Sequence, residues 1–138
     1  MSIEREVSYG GVVVRDAEVL VITPAGRTRV LTLPKGGADD GESEEATAAR
    51  EVREETGVQA RIVERLGDVE YWYRRGGRRV FKTVGFYLCD YIAGDTADHD
   101  HEVDEARWLP LERARTELSY PGERRMIERA LSKRHGDR

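Results

Sequence analysis

Cysteine is almost absent: Cys89 is the only one in 138 residues. One thiol cannot form an intramolecular disulfide or a multi-cysteine zinc site. It lies in a largely apolar run, which predicts a buried, inert thiol rather than a nucleophile. Long apolar runs are missing too. No stretch of roughly 18 apolar residues occurs, so nothing in the chain is expected to cross a bilayer as a helix. The N-terminal MSIEREVSYGG has no apolar signal core, and the expectation is a soluble, cytoplasmic protein without a membrane partner. An excess of basic charge is also lacking. Lys and Arg number 23 against 27 Asp and Glu, a net charge of −4, which speaks against a general nucleic-acid binder. Repeats, low-complexity tracts and linkers are not seen, and residues 1–138 read as a single domain.

What is present is patterned. Residues 7–15 (VSYGGVVVR) predict a buried strand and 19–23 its hairpin partner, with residues 29–33 a third short strand. A glycine-rich loop, PKGGADDGE, spans 34–42. A helix follows, with Ser43 as N-cap, Glu44 and Glu45 in its first turn and Gly57 beyond its end. Strand-like runs return at 58–64, 67–74 and 79–92, the last two joined at Gly76-Gly77. Residues 80–92 are apolar at both parities, as in a central strand. An acidic loop spans 93–105, and helices are predicted at 111–118 and 122–133, the second with Met126, Ile127, Ala130 and Leu131 at helical spacing. Strands, helix, strands, helices imply an α/β or α+β sandwich with helices on a mixed sheet.

The helix over 44–56 poses an electrostatic problem. A helix C-terminus is partially negative and favours cations. Here Glu51, Glu54 and Glu55 crowd that end, and at 100° per residue they share a face with Thr47, while Ala49, Val52 and Thr56 form the predicted core face. Arg50 can reach Glu54, which leaves Glu51 and Glu55 in excess. A bound divalent cation would resolve the conflict. Oxygen-only ligands select Mg²⁺ or Mn²⁺ over Zn²⁺, and Mg²⁺ commonly joins one or two carboxylates to substrate phosphates. On the residues alone, a metal site and a solvated acidic face both stand.

Residues 36–58, GGADDGESEEATAAREVREETGV, resemble the Nudix hydrolase signature, G-x5-E-x7-R-E-U-x-E-E-x-G-U with U a bulky aliphatic. Gly36, Glu42, Arg50, Glu51, Val52, Glu54, Glu55, Gly57 and Val58 fill its specified positions. The resemblance implies an α/β/α sandwich, a mixed β-sheet flanked by helices. It also implies Mg²⁺- or Mn²⁺-dependent hydrolysis of a nucleoside diphosphate linked to another group. By position, Glu51 and Glu55 would be principal metal ligands, Glu54 a further one and the Gly36 carbonyl a backbone one. Arg50 would orient a glutamate, and Glu42 would ligate or pair with Arg50. The family often adds an acid six residues before an aromatic, which places it at Glu102, ahead of Trp108, with Glu105 second.

The signature does not encode the leaving group. The segments 33–36, 81–88 and 101–114 resemble the asymmetric diadenosine tetraphosphate hydrolases. That likeness implies a dinucleoside polyphosphate substrate, with oxidised nucleoside triphosphates and inositol pyrophosphates as alternatives and a non-catalytic nucleotide sensor as another class. It suggests Tyr73, in the cluster Tyr71-Trp72-Tyr73, as a base-stacking platform, with Tyr87 a second candidate. Alternation along the strand would let Trp72 fill the core instead. Lys35 and Lys82 are candidate polyphosphate contacts, and the arginines at 74, 75, 78 and 79 could draw in anions. The expected partner is a small diphosphate-containing molecule, and the protein itself a monomer or homodimer.

Overall fold

The computed structural model describes residues 3–136, with side chains through residue 134. The elements run β1 (Ile3–Arg15), β2 (Glu18–Pro24), β3 (Lys35–Gly36), α1 (Glu44–Thr56), β4 (Val58–Arg75), β5 (Arg78–Gly94), a 3₁₀ turn (Thr96–Asp98), β6 (Val103–Pro110), α2 (Leu111–Glu117) and α3 (Pro121–Gly136). The strands form a mixed sheet in the order β4-β5-β1-β2-β6, with β3 paired to β1. β1 and β5 run parallel from Ile3 opposite Arg79 to Val14 opposite Asp90. The other pairings are antiparallel.

Adjacent valines explain the layering. Val12 faces a cluster that contains Ala114, Leu118, Met126, Ile127 and Ala130 of the α2–α3 layer. Val13, one residue on, faces Ala48 and Val52 of α1 with Leu20, Val58 and Cys89. A strand alternates its side chains between faces, so a valine run buried on both is what a sheet between two helical layers requires. Each such side chain fully buried is worth about 1.5–3 kcal/mol. Cys89 is buried, and burial pushes its thiol up to about 12, so it is inert as expected. Among the described residues no helix is long and apolar enough to cross a membrane.

Several sequence expectations shift. The runs at 58–64 and 67–74 merge into β4, with register shifts between Ile62 and Glu64 and between Arg65 and Gly67. Residues 29–33 are not a strand. Thr32 makes a lone bridge to Ile22, while the amides of Leu31 and Leu33 donate to the side chains of Ser119 and Glu123. Those amides are therefore spent on side chains rather than on a ladder. On α1, Ala48 is buried and Ala49 only partly so, which corrects the core face by one residue. Trp72 does not fill the core. It is 47% exposed and lies against Phe81 at 4.8 Å and under the Arg79 guanidinium at 4.4 Å.

The ends of α1 are as predicted. The Ser43 side chain accepts from the Ala46 amide, and Gly57 ends the helix at φ 77°, its amide donating to the Arg53 carbonyl. An added Cβ at Gly57 would lie 2.3 Å from the Asp95 carbonyl oxygen. Gly57→Ala should therefore cost more than the roughly 1–2 kcal/mol of a left-handed alanine alone. Denaturant unfolding measures it, and a loss no larger than about 1–2 kcal/mol would contradict the crowding.

Candidate active site

Arg50 organises the acidic end of α1. Its Nε and Nη2 donate to the two carboxylate oxygens of Glu42, at 2.9 and 3.0 Å. Nη1 donates to Glu51 at 3.2 Å and Glu54 at 3.1 Å, and Nη2 also reaches the Gly37 carbonyl at 2.8 Å. Glu51 is thus also a partner of Arg50, a pairing not expected from helix spacing because residues one apart do not face each other. Charge-assisted forks of this kind are stronger than neutral hydrogen bonds. The bonds from Arg50, with one from the Asp39 amide, hold the Glu42 carboxyl well below its ordinary value of 4.5, at about 2.

Glu51 and Glu55 are less well compensated. Burial pushes Glu51 up, Arg50 opposes it, and Glu54 and Glu102 push the same way as burial. Burial pushes Glu55 up to about 7, against the Lys35 amide and ammonium, with Glu51 and Asp100 adding to the rise. The Lys35 amide donates to Glu55 Oε1 at 3.0 Å. A Cβ at Gly36 would lie 2.1 Å from Glu51 Cδ, so only glycine lets β3 lie against that carboxylate. Glu102 therefore stands within the field of the α1 acids. Asp100, which the sequence did not single out, joins it: its amide donates to the Glu54 carbonyl at 2.9 Å.

The donor set suits a hard divalent cation. It offers carboxylate and backbone oxygens, and two of the carboxylates are pushed toward neutrality by burial that a cation would offset. Among the described residues, no three acidic, histidine or cysteine side chains converge closely enough to hold an ion as they stand. Glu42, Glu51 and Glu54 fan around Arg50 instead, while Glu55 bonds the Lys35 amide.

The substrate-side expectations divide. Tyr73 and Lys82 line a cavity of about 400 Å³ with Arg27, Tyr71 and Tyr120. The rings of Tyr71 and Tyr120 are parallel within 3° at 6.3 Å, and Tyr73 lies 6.2 Å from Tyr71. Burial raises the Tyr71 hydroxyl, and the Lys35 charge opposes it. Glu6 holds the polar ends, accepting from Lys82 at 2.7 Å and Tyr73 at 2.9 Å. Tyr87 is a correction. It is 6% exposed beneath α1, its hydroxyl 3.0 Å from Glu44, so no face of its ring is open to a base. Lys35 is a second. Its ammonium is taken by Glu123 at 3.3 Å, Thr32 at 3.0 Å and the Leu33 carbonyl at 3.4 Å, rather than standing free for a polyphosphate. Of the hairpin arginines, Arg75 and Arg78 pair with Glu4, and Arg75 also with Glu6. Tyr120, Arg27 and Glu123 were invisible as site residues because only tertiary packing brings them there.

The NUDIX domain matches residues 5–130. The chain belongs to the Nudix family. It is 42% identical, over 89% of its length, to a Mycobacterium tuberculosis protein that carries the name mutator protein MutT4. It is 39% identical over 74% to an 8-oxo-(d)GTP phosphatase of Mycolicibacterium smegmatis. The chain spans 53% of the first protein and 30% of the second. Among solved structures it resembles a Caenorhabditis elegans Ap4A hydrolase, with TM-score 0.76 and 25% identity, covering 94% of this chain and 98% of that one. A NUDIX hydrolase from Nitrosomonas europaea shares the fold, with TM-score 0.74, 21% identity and coverage of 91% and 88%. The sandwich expected of a Nudix protein is the one observed.

Replacing the guanidinium tests the centre of this Nudix site. A depressed carboxyl pKa contributes stability above the ordinary 4.5 and loses it as pH falls toward 2. Arg50→Met should return the Glu42 carboxyl, followed by NMR, to about its ordinary range near 4. A Glu42 carboxyl still titrating at about 2 in that variant would contradict the Arg50 assignment.

Proposed function

We propose that this Nudix domain is a divalent-metal-dependent pyrophosphohydrolase acting on a nucleoside diphosphate linked to a further group. The observation that carries the reading is the half-buried pair Glu51 and Glu55, held beside Gly36 and Arg50 in an intact signature. Glu51, Glu54 and Glu55 would hold Mg²⁺ or Mn²⁺ with the Gly36 carbonyl and Glu102. Bound there, the ion would neutralise phosphate oxygens and acidify a water. The protein's own part is positioning, which carries most of phosphoryl-transfer catalysis. Arg50 fixes Glu51 and Glu54, the Lys35 amide fixes Glu55, and Gly36 leaves room for the Glu51 carboxylate. Arg27 supplies positive charge beside the cavity, where Lys82 is paired with Glu6 at 2.7 Å, and Tyr71, Tyr73 and Tyr120 supply ring surface for a base.

An oxidised nucleoside triphosphate is the substrate class we favour, because relatives near 40% identity carry the names of a mutator protein and an 8-oxo-(d)GTP phosphatase. The dinucleoside polyphosphate expected from sequence takes second place. It is supported by the Ap4A hydrolase likeness and by the tyrosine-lined cavity. Base–aromatic stacking is worth about 1–3 kcal/mol per base and tolerates any base, so the tyrosines suit both classes.

Comparing kcat/KM for 8-oxo-dGTP, dGTP, Ap4A, ADP-ribose and an inositol pyrophosphate decides the class. The highest value should fall on 8-oxo-dGTP, and a preference for Ap4A would reverse the order. Glu51→Gln and Glu55→Gln should each lower kcat by about 10²-fold or more while leaving the fold intact. Turnover that survives excess EDTA would contradict the metal-dependent reading.

A further inference from the structure

Among the described residues Glu123 is the only buried side chain that carries formal charge, at 2% exposure. Burying a carboxylate costs several kcal/mol unless it is bonded on several sides, so its partners show what the position serves. Glu123 lies in the first turn of α3, where the helix dipole favours an anion. One oxygen accepts the Leu33 amide at 2.9 Å. The Thr32 hydroxyl lies 2.8 and 2.7 Å from the two oxygens, and the Lys35 ammonium completes the set at 3.3 Å. The partners lie in the short segment 32–35, which ends on the first residue of β3.

That segment has other anchors too: Leu33 is fully buried in the core, the Gly11 amide donates to the Pro34 carbonyl at 3.2 Å, and Lys35 and Gly36 pair with Gly10 and Tyr9 of β1. It makes one bridge to β2, through Thr32 and Ile22, and a pair of contacts with Ser119, through the Leu31 amide and carbonyl. Beyond it come the two backbone features the acidic site relies on: the Lys35 amide on Glu55 and Gly36 against Glu51. We infer that Glu123 is a positioning residue for the α1 carboxylates: from the opposite helical layer it holds Thr32, Leu33 and Lys35, and so sets the Lys35 amide on Glu55 and Gly36 beside Glu51. The inference rests on reading those carboxylates as the working site. It also gives Lys35 a role: its ammonium, 3.3 Å from Glu123, is the counter-charge to that buried side chain. Burial is the largest influence on that ammonium and works against it, but Glu123, Tyr71 and Glu55 together hold Lys35 above its ordinary value.

The test uses Glu123→Ala and Glu123→Gln, the second keeping one acceptor for the Leu33 amide but no charge for Lys35. Amide hydrogen exchange at residues 33–36, measured without added metal, reads the segment directly. In Glu123→Ala the Lys35 amide should exchange about tenfold faster or more, the size expected when an anchor of one local unit is lost. kcat should fall by about tenfold or more with KM within about threefold, since the loss is of geometry rather than of substrate contact. Glu123→Gln should show the same changes in smaller measure, and it decides the matter if Glu123→Ala does not fold. Unchanged Lys35 exchange in a folded variant overturns the inference. So does a raised KM with intact kcat, which would make Glu123 a substrate contact. If the wild type hydrolyses nothing on the panel, the functional reading fails, and the exchange measurement still decides the positioning.

Discussion

One guanidinium fastens the acidic end of α1 to the loop before it. Arg50 bonds Glu42, Glu51, Glu54 and the Gly37 carbonyl together, so the helix and the glycine-rich loop are a single electrostatic unit. Without it, three carboxylates would face the negative end of a helix dipole with little to oppose them. The arrangement still leaves a deficit. Glu55 is outside the reach of Arg50, and one backbone amide is its hydrogen-bond donor among the described residues. A site that is partly neutralised and partly frustrated is one that a divalent cation can enter with gain on both sides.

The two helical layers divide the labour. α1 carries the acids and is seated by Ala48 and Val52 on one face of the sheet. α3 lies on the other face and contributes Glu123, whose bonds end on the segment that meets Glu55 and Glu51. β1 lies between them, its residues Tyr9 and Gly10 pairing with Gly36 and Lys35. The position of the carboxylates is therefore set from the front by Arg50 and from behind by the segment over 31–36. Beside that segment, Tyr71, Tyr73 and Tyr120 open a cavity of a size that suits a nucleoside.

What could be read from the sequence was local. Ser43 and Gly57 bracket α1 because caps depend on residues within one turn, and Gly76-Gly77 marks its hairpin for the same reason. The signature residues were legible because they sit within one loop and one helix, and the family they point to is the family of the chain. What failed was long-range. Residues 29–33 have strand composition, but their amides are claimed by Ser119 and Glu123, about 90 positions away. Tyr87 looks like a platform until α1 is laid over it, and Lys35 looks free until Glu123 is brought to it. Tyr120 lies in a turn with nothing in its own neighbourhood to mark it, and only its parallel partner Tyr71 does so.

The most direct measurement is anomalous diffraction from crystals of the protein grown with Mn²⁺ and a non-hydrolysable nucleoside triphosphate analogue. The account predicts an anomalous peak within ligand distance, about 2.0–2.3 Å, of carboxylate oxygens of Glu51 and Glu55, with phosphate oxygens on its far side. A nucleotide bound with no Mn²⁺ peak at those side chains, or with the peak elsewhere in the molecule, would contradict it.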